Sequence, residues 1–153
     1  MDKSNIRQAR ISDIASLLPQ IMIFEEQHAA YDDGKITEKT YQRVKEETSR
    51  DIKKKKYWVA EMNRIIIGFI KAEILDTRPG MLYIDNLFVH PDHRSRGVGT
   101  NLIHFVEVIF KERGASKVRL YVAKQNTIAK KLYKKLGFRF HQSVWKEYIK
   151  ELK

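Results

Sequence analysis

A chain of 153 residues, 42% apolar and 32% charged, is long enough to bury one core and too apolar to stay disordered. Its lack of cysteine excludes disulfides, thiolate metal ligands and an acyl thioester on the protein, and no apolar run approaches the ~18–20 residues of a membrane span. A net charge of +11 points to an anionic partner, a polyphosphate ligand or a nucleic acid being the two obvious classes.

No Pro/Ser/Gly-rich linker divides the chain and no repeat is visible, so residues 1–153 read as a single domain. The opening Met1–Asn5 lacks the apolar stretch of a secretory signal, and a cytoplasmic location is expected. Asn5–Ala9 reads as a short first strand. Ser12-Asp13 is a helix-capping pair, and Ile14, Leu17, Leu18, Ile21 and Met22 follow at helical spacing. They predict a helix to about His28, with a kink or break at Pro19. Tyr31–Gly34 reads as a loop, and Thr37 caps a second helix through about Arg50. Lys53–Lys56 is read as the solvated end of that helix.

A run of strands comes next. Tyr57–Glu61 is the first, and Met62-Asn63-Arg64 reads as a hairpin turn without the Asn-Gly pair of a tight one. Ile65–Leu75 is rich in β-branched residues, Asp76–Gly80 is a turn, and Met81–Val89 is a third strand. From Val98, Leu102, Phe105, Val106 and Ile109 form an apolar stripe with Ile103 and Phe110 alongside, predicting a helix closed by Gly114. Val118–Val122 is a strand, about Thr127–Leu136 a helix closed by Gly137, and Phe138–Tyr148 a last aromatic-rich strand. Hairpins in the middle and strand–helix–strand units in the second half imply an α/β (α+β) domain with a mixed sheet covered by helices.

The stretch Val89-His90-Pro91-Asp92-His93-Arg94-Ser95-Arg96-Gly97-Val98-Gly99-Thr100 carries the chemistry. A strand passes through a basic, glycine-bearing turn into a helix start. Glycine lets backbone approach an anion, and the unpaired N–H groups of a first helical turn, with the helix dipole, favour phosphate. Gly99-Thr100 lacks the lysine of a Walker A loop, and Leu102 stands where a dinucleotide fingerprint needs its third glycine. His90 and His93 sit beside Arg94 and Arg96, which repel a cation, so no metal site is expected.

Arg94-x-x-Gly97-x-Gly99, after a strand ending Leu87-Phe88-Val89-His90-Pro91, resembles the acetyl-CoA signature R/Q-x-x-G-x-G/A of the GNAT superfamily of N-acetyltransferases. Asn126-Thr127-Ile128-Ala129-Lys130-Lys131-Leu132-Tyr133-Lys134-Lys135-Leu136-Gly137-Phe138 resembles that family's second signature, N-x-x-A-x-x-x-Y-x-x-x-G-F. The resemblance covers most of the chain, strongest from about Tyr83 to Phe140 and weakest before Tyr57. Asn126 and Tyr133 fall within roughly 20° on one helix face, with the small Ala129 between them.

The resemblance implies a mostly antiparallel central sheet of about six or seven strands, covered by about four helices. It implies acetyl-CoA as acetyl donor and a primary amine, on a small molecule or a peptide, as acceptor. Backbone N–H groups of Arg96, Gly97, Val98, Gly99 and Thr100 would cradle the pyrophosphate, with charge from Arg94 and Arg96. The backbone of Phe88 and Val89 would pair with the pantetheine amides, Asn126 would hydrogen-bond that arm, and Ala129 would leave it room. Tyr133 would serve as general acid toward the departing sulfur. Asp85 is the leading candidate base, with Glu25, Glu26 and Glu73 behind it and a water chain as the substitute. Strand alternation sends Asp85 and Asn86 to opposite faces. Glu25, Glu26, Asp32 and Asp33 would attract a cationic acceptor. Trp145 and Tyr148, on an edge strand, would help a homodimer form. The competing readings are an acyl-CoA sensor without efficient catalysis and a basic nucleic-acid-binding module built on Lys53–Lys56; a membrane partner is not expected.

Overall fold

The computed structural model describes residues 4–31, 37–142 and 147–153. In chain order they form β1 (Asn5–Gln8), α1 (Ile14–Tyr31), α2 (Glu38–Lys53), β2 (Tyr57–Met62), β3 (Ile65–Ile74), β4 (Met81–Val89), α3 (Val98–Glu112), β5 (Lys117–Tyr121), α4 (Thr127–Lys135), β6 (Arg139–Gln142) and β7 (Glu147–Glu151). The strands make one seven-stranded mixed sheet in the order β1-β2-β3-β4-β5-β7-β6. Within it β4 and β5 run parallel and every other neighbouring pair is antiparallel. The expected sheet and helix counts and the mixed, mostly antiparallel arrangement are thus observed.

Local chemistry explains most boundaries. Thr37 caps α2 through the Thr40 N–H, and Asn126 caps α4 through the Ala129 N–H. Asn63 and Arg64, at φ 52° and 65°, close β2 onto β3 in a two-residue turn with both centres left-handed, the geometry that matches strand twist. Gly114 and Gly137, at φ 94° and 89°, end α3 and α4.

Helices cover the sheet in two layers. On one face α1 and α2 bury Leu17, Leu18, Ile21, Phe24 and Val44 against Val59, Phe69 and Phe88. On the other, α3 buries Val98, Leu102, Ile103, Val106 and Phe110, and α4 adds Tyr133, against Ile67, Leu82, Ile84, Val118, Leu120 and Tyr148. Phe105 and Ile109 of the expected α3 stripe are only partly buried. The apolar residues of β3 belong to a central strand covered on both sides, which is why they run almost without alternation.

Three expectations need correction. Of the kink or break expected at Pro19, the break does not occur: α1 continues through it. Pro19 and Ala15, four residues earlier, are both exposed, so the carbonyl that loses its helical donor faces water. The stretch from Phe138 to Tyr148 is not one strand but parts of two, β6 and β7, paired antiparallel, so the chain reverses between them. Tyr148 accordingly lies on a strand inside the sheet, between β5 and β6, and is 8% exposed. It packs on Tyr133 and Phe140 and offers no edge for pairing. Trp145 lies outside the described residues.

Candidate active site

The turn between β4 and α3 is held open by backbone conformation. After a short 3₁₀ turn at Pro91–His93, Arg94 is extended, Ser95 is left-handed at φ 62° and Gly97 is left-handed at φ 84°. Gly97 can adopt that angle freely; Ser95 holds it at a cost of about 1–2 kcal/mol. Gly97 is the N-cap residue of α3, and no side chain caps the helix there. The first-turn N–H groups of α3 therefore lack an acceptor within the helix and keep their partial positive charge exposed. In α2 and α4 a side chain fills that role.

The loop's side chains divide the work. Arg94 folds back: its Nε donates to the Val89 carbonyl at 2.8 Å, and its guanidinium carbon lies 5.7 Å from the centroid of the Phe88 ring. Arg96 is exposed. The Val98 side chain is core, and so is that of Phe88, which stacks on Phe69 at 5.5 Å. Val98 thus has only backbone to offer a ligand, whereas the Phe88 backbone is paired with Phe69 of β3, which corrects the expectation that it serves the pantetheine arm. A Cβ built on Gly99 would stand 3.6 Å from Val89 Cγ2, 3.7 Å from Leu132 Cδ2 and 3.9 Å from Leu87 Cδ2. Gly99 is therefore the point where the end of β4, the start of α3 and the middle of α4 converge.

β4 changes partner environment halfway along. It pairs with β5 only from Met81↔Lys117 to Ile84↔Leu120. From Asp85 to Val89 it pairs with β3 alone, and among the described residues no strand adjoins its other edge. The break coincides with a bulge: Lys71 pairs with Asn86 and Ala72 with Ile84, leaving Asp85 as the extra residue. This corrects the expected alternation. Leu82 and Ile84 face α3, whereas Phe88 belongs to the α1/α2 core, so the strand's parity shifts at the bulge. Asn86 faces its cross-strand partner Lys71, and Asp85 bonds the same lysine, so both lie on the α1/α2 face.

A polar cluster surrounds that bulge. Lys71 Nζ lies 2.9 Å from Asp51 Oδ2 of α2 and 2.9 Å from Asp85 Oδ2. Burial alone would lower the Lys71 pKa, but the bond to Asp51 and the charge of Asp85 outweigh it and hold the ammonium form above its ordinary range. Burial pushes the Tyr83 phenol up to about 12, and the nearby Asp85 charge adds to it. Tyr83 meets Tyr121 edge-on at 6.0 Å, and Arg119 lies over the Tyr121 ring and donates to its hydroxyl. Sequence reasoning does not single out Lys71, Asp51, Tyr83 or Tyr121. The available signal is Lys71, the sole cation in a largely apolar strand.

The second signature lies on the opposite face. Tyr133 is buried, its ring 5.7 Å from that of Phe138 and 6.2 Å from that of Tyr148. Burial pushes its phenol up to about 12, so it remains protonated near neutral pH. Asn126 stands just ahead of the first helical residue. Its Oδ1 accepts from the Ala129 N–H at 3.1 Å, which leaves the amide nitrogen for a ligand. The structure thus gathers the loop, the end of β4 and α4 around Gly99, with Asp85 on one sheet face and Tyr133 on the other. Glu73 is held by Lys56 at 2.6 Å. Glu25 is partly buried and Glu26 exposed on α1, and Asp32 and Asp33 lie outside the described residues. Among the described residues no three histidines or acids gather as a metal site.

Comparison with known proteins bears on the family and the fold. A family model described as the acetyltransferase (GNAT) family matches residues 21–138. The spermidine N(1)-acetyltransferase of Thermoplasma acidophilum is 31% identical over 88 residues, which is 58% of this chain and 53% of that protein. The chain spans about half the length of that relative, and less of several others. The crystal structure of PaiA N-acetyltransferase from T. acidophilum in complex with coenzyme A superposes with a TM-score of 0.79 at 22% identity, covering 99% of this chain and 100% of that one. A GNAT-family acetyltransferase from Staphylococcus aureus Mu50 gives a TM-score of 0.78 at 22% identity, covering 98% and 99%. At that identity both show the fold.

Proposed function

Since the chain belongs to the acetyltransferase (GNAT) family, we propose that it transfers an acetyl group from acetyl-CoA to a primary amine by direct attack. One observation carries the reading: an uncapped helix N-terminus, entered through left-handed Gly97, stands at the end of a strand whose outer half has an open edge. These are the two things a pyrophosphate joined to a diamide arm needs, helical N–H groups for the anion and strand backbone for the amides. Bound acetyl-CoA supplies an activated thioester.

The chain's own residues would then act as follows. N–H groups from Arg96 to Thr100 hold the pyrophosphate, with Arg96 supplying free charge and Arg94 bracing the loop against Val89. Val89 offers its outward-facing backbone N–H to the pantetheine arm, its carbonyl being taken by Arg94 and the Phe88 backbone by Phe69, and Asn126 offers its amide nitrogen. A backbone N–H at the end of β4 donates to the thioester oxygen, where negative charge develops. Asp85, or water beside it, takes a proton from the substrate ammonium on the α1/α2 face so that the neutral amine can attack, and the second amine proton leaves to the departing thiolate or to water as the tetrahedral adduct collapses. Tyr133 donates to the departing sulfur from the α3/α4 side. A phenol near 12 gives up its proton less readily than an ordinary thiol, whose pKa is about 8.5, so hydrogen bonding to the thiolate is its main contribution.

Calorimetric titration with acetyl-CoA, followed by a thiol-release assay over a panel of amines, tests the proposal; the protein brings no thiol of its own to that assay. Tyr133→Phe is expected to bind coenzyme A within about twofold of wild type while kcat falls by about 10²-fold. An unchanged kcat removes Tyr133 from the chemistry. Acetyl-CoA binding without thiol release for any amine would favour a sensor.

A further inference from the structure

Lys71 is the residue that neither signature contains and that the cluster around the bulge is built on. Its ammonium bridges two carboxylates, both at 2.9 Å, one on α2 and one on β4. Neutralising a partly buried lysine, 17% exposed, needs one acid, and Asp51, whose side chain is 10% exposed, suffices for that. The second carboxylate, Asp85, is 34% exposed and would be solvated without the lysine. Asp85 is also the extra residue of a bulge, so it has no cross-strand partner of its own to fix its rotamer. The lysine is itself constrained, with Nζ 6.0 Å from the centroid of the buried Tyr57 ring.

We propose that Lys71 is a positioning residue that holds the Asp85 carboxylate against Asp51 of α2, at the gap where β4 parts from β5. A charged side chain pinned from two sides loses little further freedom when an amine approaches, which is how prior placement lowers a barrier. The inference rests on the acetyl-transfer reading with Asp85 as base. It also gives α2 a part in the reaction, since Asp51 carries the far end of the bridge.

The test is a double-mutant cycle read by kinetics. Lys71→Met is made together with Asp51→Asn, so that no buried carboxylate is orphaned, in the wild-type and Asp85→Asn backgrounds. Lys71→Arg serves as the conservative variant. Acetyl-CoA is the donor, and the acceptor is whichever of spermidine, lysine amide or a short peptide amine gives the highest wild-type rate. Loss of the bridge is expected to lower kcat by about tenfold or more, with KM for acetyl-CoA within about twofold, and Lys71→Arg is expected to recover most of it. In the Asp85→Asn background the same change should cost nothing further, because residues acting as a unit are not additive. An equal loss in both backgrounds overturns the inference and leaves Asp85 as base. A wild-type kcat for Asp85→Asn, or no thiol release with any probe, overturns Asp85's role and the inference together. Should the double variant fail to fold, Lys71→Gln, which keeps a donor for Asp51, carries the same cycle.

Discussion

Gly97 and Gly99 share a motif but face different constraints. Gly97 sits at φ 84°, and a Cβ there would meet no atom within 4 Å, so backbone conformation, not space, demands glycine. Gly99 has helical backbone, and its nearest neighbours would stand at ordinary contact distance, 3.6 Å or more. Gly97→Ala is therefore expected to lose about 1–2 kcal/mol and to weaken coenzyme A binding. Gly99→Ala should melt no lower than wild type and bind nearly as well; melting curves and calorimetry on the pair check both. A different residue-scale anchor ties down the start of the chain. Asp13 accepts from Arg7 Nη1 at 2.8 Å, Arg7 Nη2 at 2.9 Å and the Arg10 N–H at 2.7 Å. The Arg7 bond, which outweighs burial, holds this carboxyl below its ordinary value of 3.8. Its folded-state pKa being depressed, its contribution is complete above that ordinary value and is lost as pH falls through the folded one. Asp13→Asn should melt below wild type at pH 7, and the gap should shrink below about pH 4.

At the scale of elements, the site depends on how closely β3 lets β4 approach. A Cβ on Gly68 would stand 2.7 Å from the Phe88 carbonyl oxygen and 3.5 Å from Leu102 Cδ1. Backbone cannot swing aside as a side-chain tip can. Gly68→Ala should thus displace the end of β4, costing about 1–3 kcal/mol by overpacking and weakening acetyl-CoA binding more than a remote core change of equal cost. Thermal melts paired with calorimetry separate the two effects. Sequence makes α3 and the glycine turn that leads into it legible because both are local: a helical period, a glycine spacing, a strand running into a turn. It does not reveal the bulge, since the extra residue Asp85 is defined only by its register with Lys71 and Ala72 on another strand. It misses Lys71's role for the same reason, its partners lying on α2 and β4. The reversal between β6 and β7 carries no Gly or Pro to mark it. The harmlessness of Pro19 depends on which side of α1 meets water, which only packing decides.

Across the whole molecule, charge and sheet architecture meet at one place. From Arg113 to Lys146 the chain contains no acidic residue, so β5, α4 and β6 carry most of the net charge of +11. Lys124, Lys131, Lys134 and Lys135 are exposed there, and α4 abuts the start of α3 through Leu132 and Gly99. A cationic flank beside the proposed phosphate site would raise the local concentration of a polyanion without touching it. The sheet, for its part, is two blocks, β1-β2-β3-β4 and β5-β7-β6, joined by the short parallel ladder from Met81↔Lys117 to Ile84↔Leu120. That ladder is a mechanical seam. Within the sheet, a load that pulls the two blocks apart falls on its four rungs, because among the described residues the neighbouring half of β4 bears none of it. A molecule lodged along that open edge would act as a rivet across the two blocks. Single-molecule stretching is therefore expected to show a rupture force that rises with coenzyme A concentration, a strengthening that Gly97→Ala should largely abolish.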